Sequence, residues 1–354
     1  MTAWAQHLQR LWQRMQPHRS PDQPLAAPAG PSLGLPLVPF VVQQGQPGQW
    51  QHLQAQSSHF SLWASTRVGR RHAAAEQACE DSVAACFTPT GALHVALADG
   101  VSSGARGDVA SAALVSMAVA LPVVYPPAPG FAAGSGAEAD LQAAHQHLVQ
   151  RLAQADEQVA QALDQAAPGR SGATTGAAAW VSSSGLGWFT RVGDCRVHHW
   201  RSAPAAATGL PAGVVLTLAA TDQTFALLDE APPPGVPPHN PARMVGNGRM
   251  GQPEVQALQL QPGDGLLLSS DGLHDVLGTD LLCAAIARVQ AGSGALPHLG
   301  RLLERLARQR GSRDDIALVL LRWWPTPHSA PPPPLHPPSG GAAPATLCPP
   351  STAL

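Results

Sequence analysis

Leu93-His94-Val95-Ala96-Leu97-Ala98-Asp99-Gly100-Val101 runs from an alternating apolar segment into an Asp-Gly turn. Leu93, Val95 and Leu97 alternate with His94, Ala96 and Ala98, a period of two that predicts a strand. The strand stops at Asp99-Gly100. A glycine-rich loop follows, then a helical run over Val109–Leu121. An acid at the end of a core strand, ahead of a loop, is how a fold presents a carboxylate to a site. One Asp-Gly turn is commonplace, so the reading depends on partners elsewhere.

Upstream, His59–Gly69 reads as a first strand, and Val83–Phe87 as a second that pairs with the Leu93 strand across the turn Thr88-Pro89-Thr90-Gly91. Glu80-Asp81 opens that second strand. Downstream, Leu141, Leu148, Leu152, Ala155, Val159, Ala162 and Ala166 mark a long amphipathic helix, with Ser135 as its cap and Pro168-Gly169 as its stop. A small-residue strand then ends at Trp180-Val181, strands follow over Gly187–Arg191 and Val197–Arg201, and Asp194 stands in the turn between those two. Thr221–Gln252 is irregular and proline-rich, and reads as a mobile surface flap. Val255–Leu260 and Leu266–Ser270 are strands, and Asp271-Gly272 ends the second. Helices over Asp280–Gln290 and Leu296–Arg310 lead to Asp314-Asp315 and a last strand, Ile316–Trp323.

The chain has 354 residues, is 44% hydrophobic and carries a net charge of −2, so it can bury a core and shows no basic footprint for nucleic acid. All 21 of its basic residues are arginine. The lack of lysine excludes P-loop NTPases, protein kinases and pyridoxal-phosphate enzymes. Five cysteines without a C-x-x-C pair argue against a zinc site. No leader and no apolar span of membrane length is seen, which places the chain in the cytoplasm. Met1–Gln16 reads as a short helix, residues 1–50 as that helix plus a Pro/Gln-rich linker, 51–324 as the functional domain, and 325–354 as a disordered Pro-rich tail.

Acids thus recur at strand ends and strand-opening turns: Glu80-Asp81, Asp99, Asp194, Asp271 and Asp314-Asp315. In a chain with only 12% charged residues this pattern calls for a common cause. Gathered carboxylates repel one another, and a divalent cation relieves the repulsion. Ligands that are all oxygen select Mg²⁺ or Mn²⁺. Two such ions roughly 4 Å apart activate a water against a phosphoryl group.

The order of motifs resembles the metal-dependent serine/threonine protein phosphatases of the protein phosphatase 2C type, in their bacterial branch. The matching pieces are Glu80-Asp81-Ser82, Ala98-Asp99-Gly100-Val101, Ser171-Gly172-Ala173-Thr174-Thr175, Val192-Gly193-Asp194-Cys195-Arg196, Ser270-Asp271-Gly272-Leu273 and Asp314-Asp315-Ile316-Ala317-Leu318-Val319, spread over His59–Trp324. The resemblance implies an α+β fold, a four-layer α-β-β-α sandwich of two antiparallel sheets flanked by helix pairs. It implies two Mg²⁺ or Mn²⁺ ions, bridged by Asp99, with the Gly100 carbonyl as a ligand. Asp271 and Asp314 would hold the first ion, and Glu80 and Asp81 would serve the second. Asp194 would help bind a third. The implied reaction is hydrolysis of phosphoserine and phosphothreonine in proteins by a metal-activated water, in a monomer partnered by phosphoproteins and a cognate Ser/Thr kinase. Where many members carry a phosphate-contacting arginine, this chain has Glu76. Arg70, Arg71 or His72 is then the candidate for that contact. Cys195 replaces a usual serine, and Asp315 a frequent asparagine. The alternative is a non-catalytic, phosphatase-like regulator that binds a phosphoprotein or a kinase.

Overall fold

The computed structural model describes residues 40–42, 50–101, 106–126, 135–169, 172–203, 213–219, 221–291 and 295–325. The Met1–Gln16 helix, most of the linker and the Pro-rich tail lie outside the described residues. In chain order the strands and helices are β1 (Phe40–Val42), β2 (Trp50–Gln56), β3 (Phe60–Arg67), α1 (Arg70–Ala74), β4 (Asp81–Phe87), β5 (Leu93–Gly100), α2 (Gly107–Ala120), α3 (Ser135–Ala166), β6 (Thr174–Val181), β7 (Leu186–Val192), β8 (Arg196–Ala203), β9 (Gly213–Leu218), β10 (Glu254–Gln259), β11 (Gly265–Ser269), α4 (Asp271–Ala291), α5 (Leu296–Gln309) and β12 (Ile316–Trp323).

The strands form two antiparallel sheets, in the orders β1-β4-β5-β6-β7-β10 and β2-β3-β12-β11-β8-β9. The period-two pattern decides how they face. Leu93, Val95 and Leu97 of β5, with Val83 and Ala85 of β4, meet Phe60, Leu62, Leu266, Leu268, Ala317 and Val319 of the second sheet in one buried core. The other face of the first sheet is small: Ala84, Ala96, Ala98 and Ala178 lie beneath Val115, Ala118 and Val119 of α2 and Leu148 and Leu152 of α3. The Trp180 indole N–H in that layer donates to the Ala118 carbonyl at 2.8 Å. Against the second sheet, α5 buries Leu299, Leu302, Leu303 and Leu306. It lies so close that a Cβ on Gly300 would stand 2.1 Å from Trp63 Nε1. The layering is the four-layer sandwich that the resemblance implied.

Strands β2 and β9 were not read from the sequence, and three further segments differ from that reading. Phe40–Val42, assigned above to the linker, pairs with β4. The helix assigned to Asp280–Gln290 begins at Asp271 and is kinked at Gly278, where φ is +65°. The early turns were hidden because Gly278 interrupts the helical pattern. The Thr221–Gln252 flap is partly core: Val245 and Met250 are buried against Val159 and Leu163 of α3. The flap is pinned by the paired backbone hydrogen bonds between Thr174 and Val245, at 3.0 and 2.8 Å.

Candidate metal centre

The same parity that builds the core places the acids. Asp81 precedes Val83 and Ala85 on the inward face of β4, and Asp99 follows Val95 and Leu97 on the inward face of β5. The two strands are antiparallel, and Asp81 and Asp99 are direct cross-strand partners. They stand at the edge where the sheets meet. From the second sheet, the Ser270 hydroxyl donates to Asp81 Oδ2 at 2.8 Å and accepts from the Ala317 N–H at 2.9 Å. Ser270 therefore ties β11, β12 and β4 together, and the next residue, Asp271, opens α4.

The electrostatics of this edge are one-sided. Burial, then the charges of Asp81, Asp271, Asp194 and Asp314, pushes the Asp99 carboxyl well above the usual carboxylate range. Burial and the charge of Asp315 do the same to Asp81, against the Ser270 hydrogen bond. Asp271 is raised to about 7 by burial and by Asp194, Asp314 and Asp275, although a hydrogen bond with Asp99 and its place in the first turn of a helix favour the anion. Asp194 is raised to about 6, mainly by burial. Ionising these groups together is costly without a cation. Their donor set is all carboxylate and backbone oxygen, which suits Mg²⁺ or Mn²⁺. The residues thus fit the implied ions, although among the described residues no three acidic, histidine or cysteine side chains already form a closed cage.

The remaining expected residues fall around this edge. Asp194 sits in the β7–β8 turn, which Gly193 makes possible with φ +87°. Asp314 is 41% exposed, with Arg71 Nη2 at 3.4 Å from its Oδ1. The backbone folds back tightly from Gly100 onto α2, since a Cβ on Gly100 would lie 2.4 Å from the Gly107 carbonyl carbon. The Glu80 side chain covers Gly107, with Oε1 at 3.0 Å from where a Cβ would stand.

The three phosphate-contact candidates separate. Arg70 and Arg71 are exposed, and His72 is 4% exposed inside α1. Its Nδ1 lies 2.8 Å from Asp315 Oδ2, and its Nε2 lies 3.5 Å from Glu80 Oε2. Asp315 also accepts from the Gly69 N–H at 2.6 Å and the Glu80 N–H at 2.7 Å. An acid at this position therefore does not add a ligand to the edge. It fastens the Gly69–His72 turn and the Glu80 backbone to the start of β12. His72 is thus turned inward between Asp315 and Glu80, away from solvent.

Sequence reasoning assigned no role to Ser270, Asp222 or Asp275. Asp275 stands one helical turn after Asp271, and its charge bears on both Asp271 and Asp194. The i, i+4 spacing was in the sequence, but the helix was not read that far back. Asp222 accepts from Arg196 through Nε at 3.0 Å and Nη2 at 2.6 Å, and so draws that guanidinium toward the flap.

Comparison with known proteins agrees with this architecture. The family model described as Protein phosphatase 2C matches residues 68–320. Among solved structures, the chain is similar to the serine/threonine phosphatase Stp1 from Staphylococcus aureus, with TM-score 0.55, 18% identity, and coverage of 77% of this chain and 98% of that one. The S. agalactiae serine/threonine phosphatase gives TM-score 0.53 at 18% identity, covering 74% and 98%. The Mycobacterium tuberculosis serine/threonine phosphatase PstP/Ppp gives 0.50 at 22%, covering 75% and 99%. At these identities the structures attest the fold. No curated protein matches the sequence.

Proposed function

The chain belongs to the protein phosphatase 2C family, and from that membership we propose that it is a Mg²⁺- or Mn²⁺-dependent hydrolase of phosphoserine and phosphothreonine in proteins. The family fold supports phosphatase function in general. The metal dependence and the residue roles are our own reading. The observation that carries it is the cross-strand pair Asp81–Asp99 facing Asp271, all three with their acidity suppressed at one edge.

Asp81, Asp99, Asp271 and Asp314 would hold two ions, together with Glu80 and the Gly100 carbonyl, and Asp194 would assist a third. When bound, the ions supply Lewis acidity and an activated water for phosphoryl hydrolysis. The chain's own groups do the rest. Asp315 and His72 hold Glu80 in place, and Ser270 orients Asp81. Arg71, beside Asp314, and exposed Arg70 would orient an incoming phosphate dianion. Cys195 offers no competing nucleophile, because burial and the charges of Asp99 and Asp194 raise its thiol well above the ordinary range. Hydrolysis would then proceed without a phospho-enzyme.

We further place the catalytic unit within 51–324, in a cytoplasmic monomer acting on phosphoproteins opposite a Ser/Thr kinase. Among the described residues no helix is long and apolar enough to cross a membrane. The direct test is hydrolysis of a phosphothreonine peptide by the purified chain. Chelation should abolish it and Mn²⁺ restore it. Tight Mn²⁺ binding with no turnover at any concentration would favour the regulator reading instead.

A further inference from the structure

Arginines gather on one face beside the candidate centre. The inward side of α5 is leucine, and its outward side carries Arg301 and Arg305, both exposed, with half-buried Arg308 one turn further on. Arg313 follows past the helix end and is also exposed. The Gly69–Arg71 turn lies against this same end. A Cβ on Gly69 would stand 2.2 Å from the Asp314 carbonyl carbon, and the Arg71 N–H donates to the Arg313 carbonyl at 3.0 Å. Arg67 and Arg70 come near enough to Arg308 for their charges to act on it.

Acids are few here: Asp314, which meets Arg71, and exposed Glu76 stand at the ends of the segments that build the face. Between Leu296 and Arg313 the one acid is Glu304, which is 1% exposed, accepts from the Ser65 hydroxyl and lies 3.7 Å from Arg67. From Trp50 to Ala75 there is none. The chain as a whole is net negative, at −2, so this face runs against the overall charge. That the cations are arginine follows from a chain without lysine. That they share one face does not. The face also has a direction, because the Arg71–Asp314 contact joins it to the acidic edge.

We propose that this arginine face docks the acidic residues flanking the phosphorylated residue of a protein substrate, so that the chain prefers phosphosites set among Asp and Glu. The proposal rests on the phosphatase reading above and names the substrate class of the same site. With the phosphate held at the carboxylate edge, the adjoining peptide crosses the guanidinium groups. A single exposed Arg–carboxylate pair contributes little, but several on one surface add up and steer the approach of an anionic chain. Guanidinium forks also match carboxylates in pairs of hydrogen bonds.

The test uses the full chain with Mn²⁺ and three substrates: a phosphothreonine peptide flanked by Glu, the same peptide with Gln in those places, and p-nitrophenyl phosphate. At low salt kcat/KM for the Glu peptide should exceed that for the Gln peptide by about tenfold, and the advantage should shrink as salt is added. The triple variant Arg301→Gln, Arg305→Gln, Arg313→Gln should lose that advantage and treat p-nitrophenyl phosphate as the parent does. Equal rates on the two peptides, or a variant that keeps the preference, would overturn the proposal. A second measurement needs no turnover: fluorescence anisotropy of a labelled Glu-flanked phosphopeptide titrated with metal-free chain, parent and variant. If no substrate is hydrolysed, the phosphatase reading fails, and this titration still decides the docking face. Parent-specific peptide binding supports it. Binding to phosphatidylserine vesicles without binding to the peptide would overturn it in favour of a membrane-facing surface.

Discussion

Cys195 has no exposed surface, and its Sγ lies 3.2 Å from Thr175 Oγ1. Thr175 is in turn the cross-strand partner of Asp99. A thiol in this position is a small filler next to the acids, with its ionisation suppressed by burial first and then by Asp99 and Asp194. Cys195→Ser should therefore keep activity within about twofold, and thiol reagents should act slowly on the parent. The check is the inactivation rate with a maleimide. Rapid inactivation that the serine variant escapes would make Cys195 a redox-responsive group. Asp315 is held quite differently. In the sequence it reads as one more acid near the site, yet its two oxygens are occupied by two backbone N–H groups and His72. Residue type and spacing named the acids, and only their hydrogen-bond partners set Asp315 apart from the candidate ligands.

The start of α4 presses on the start of β12. A Cβ added to Gly272 would meet the Asp315 carbonyl oxygen at 1.8 Å, a contact that only glycine permits. Gly272→Ala should push the helix off the strand and move Asp271 with it. We expect a loss of about 2–4 kcal/mol in denaturant unfolding, with weaker Mn²⁺ binding, as for overpacking against backbone. An unchanged midpoint would mean that this approach is not held tightly. Several elements were legible from alternation alone. The span Ile316–Trp323 is the same in sequence reading and structure, and the Leu93 strand ends on Asp99-Gly100 as expected. Others carried no readable pattern. In β2 Leu53 and Ala55 share the inward face with Gln51, and further glutamines fill the outer one, so the apolar signal was weak. In β9 apolar residues fall on both faces, with Val215 at 56% exposure, and the period of two is lost. The candidate acids were legible because they stand at strand ends and strand-opening turns. Their tethers were not, because Ser270 and His72 look ordinary until the fold brings them to Asp81 and Glu80.

For the whole molecule, two expectations concern folding. The edge strand β1 means that the 51–324 unit lacks part of its first sheet. A chain of residues 40–325 should match the full chain in phosphopeptide hydrolysis within a few-fold. Cutting to 51–324 should lower the melting temperature by exposing the β4 edge. Equal melting of the two would show that Phe40–Val42 contributes nothing. The second expectation is the pH dependence of the metal-free protein. Asp271 and Asp194, raised to about 7 and about 6, bind protons in the folded state that they release when unfolded above about pH 4. More protons on the native state mean that stability falls as pH rises from about 4 to about 7. Mn²⁺ should flatten that fall. A melting temperature that instead rises steadily over this window without metal would contradict the repulsive cluster.

The most direct test of the central claim is the melting temperature of Asp99→Asn at pH 7, with and without Mn²⁺. Asp99 is surrounded by carboxylate charge, and an amide removes one charge while offering a poorer ligand. Metal that binds only the folded state raises the parent's melting temperature with the logarithm of its concentration above the dissociation constant. Metal-free Asp99→Asn should be as stable as the parent or slightly more so, Mn²⁺ should no longer shift its melting, and phosphopeptide hydrolysis should be lost. An Asp99→Asn chain that still gains stability from Mn²⁺ as the parent does, and still hydrolyses phosphopeptide, would contradict the assignment of this edge as the metal centre.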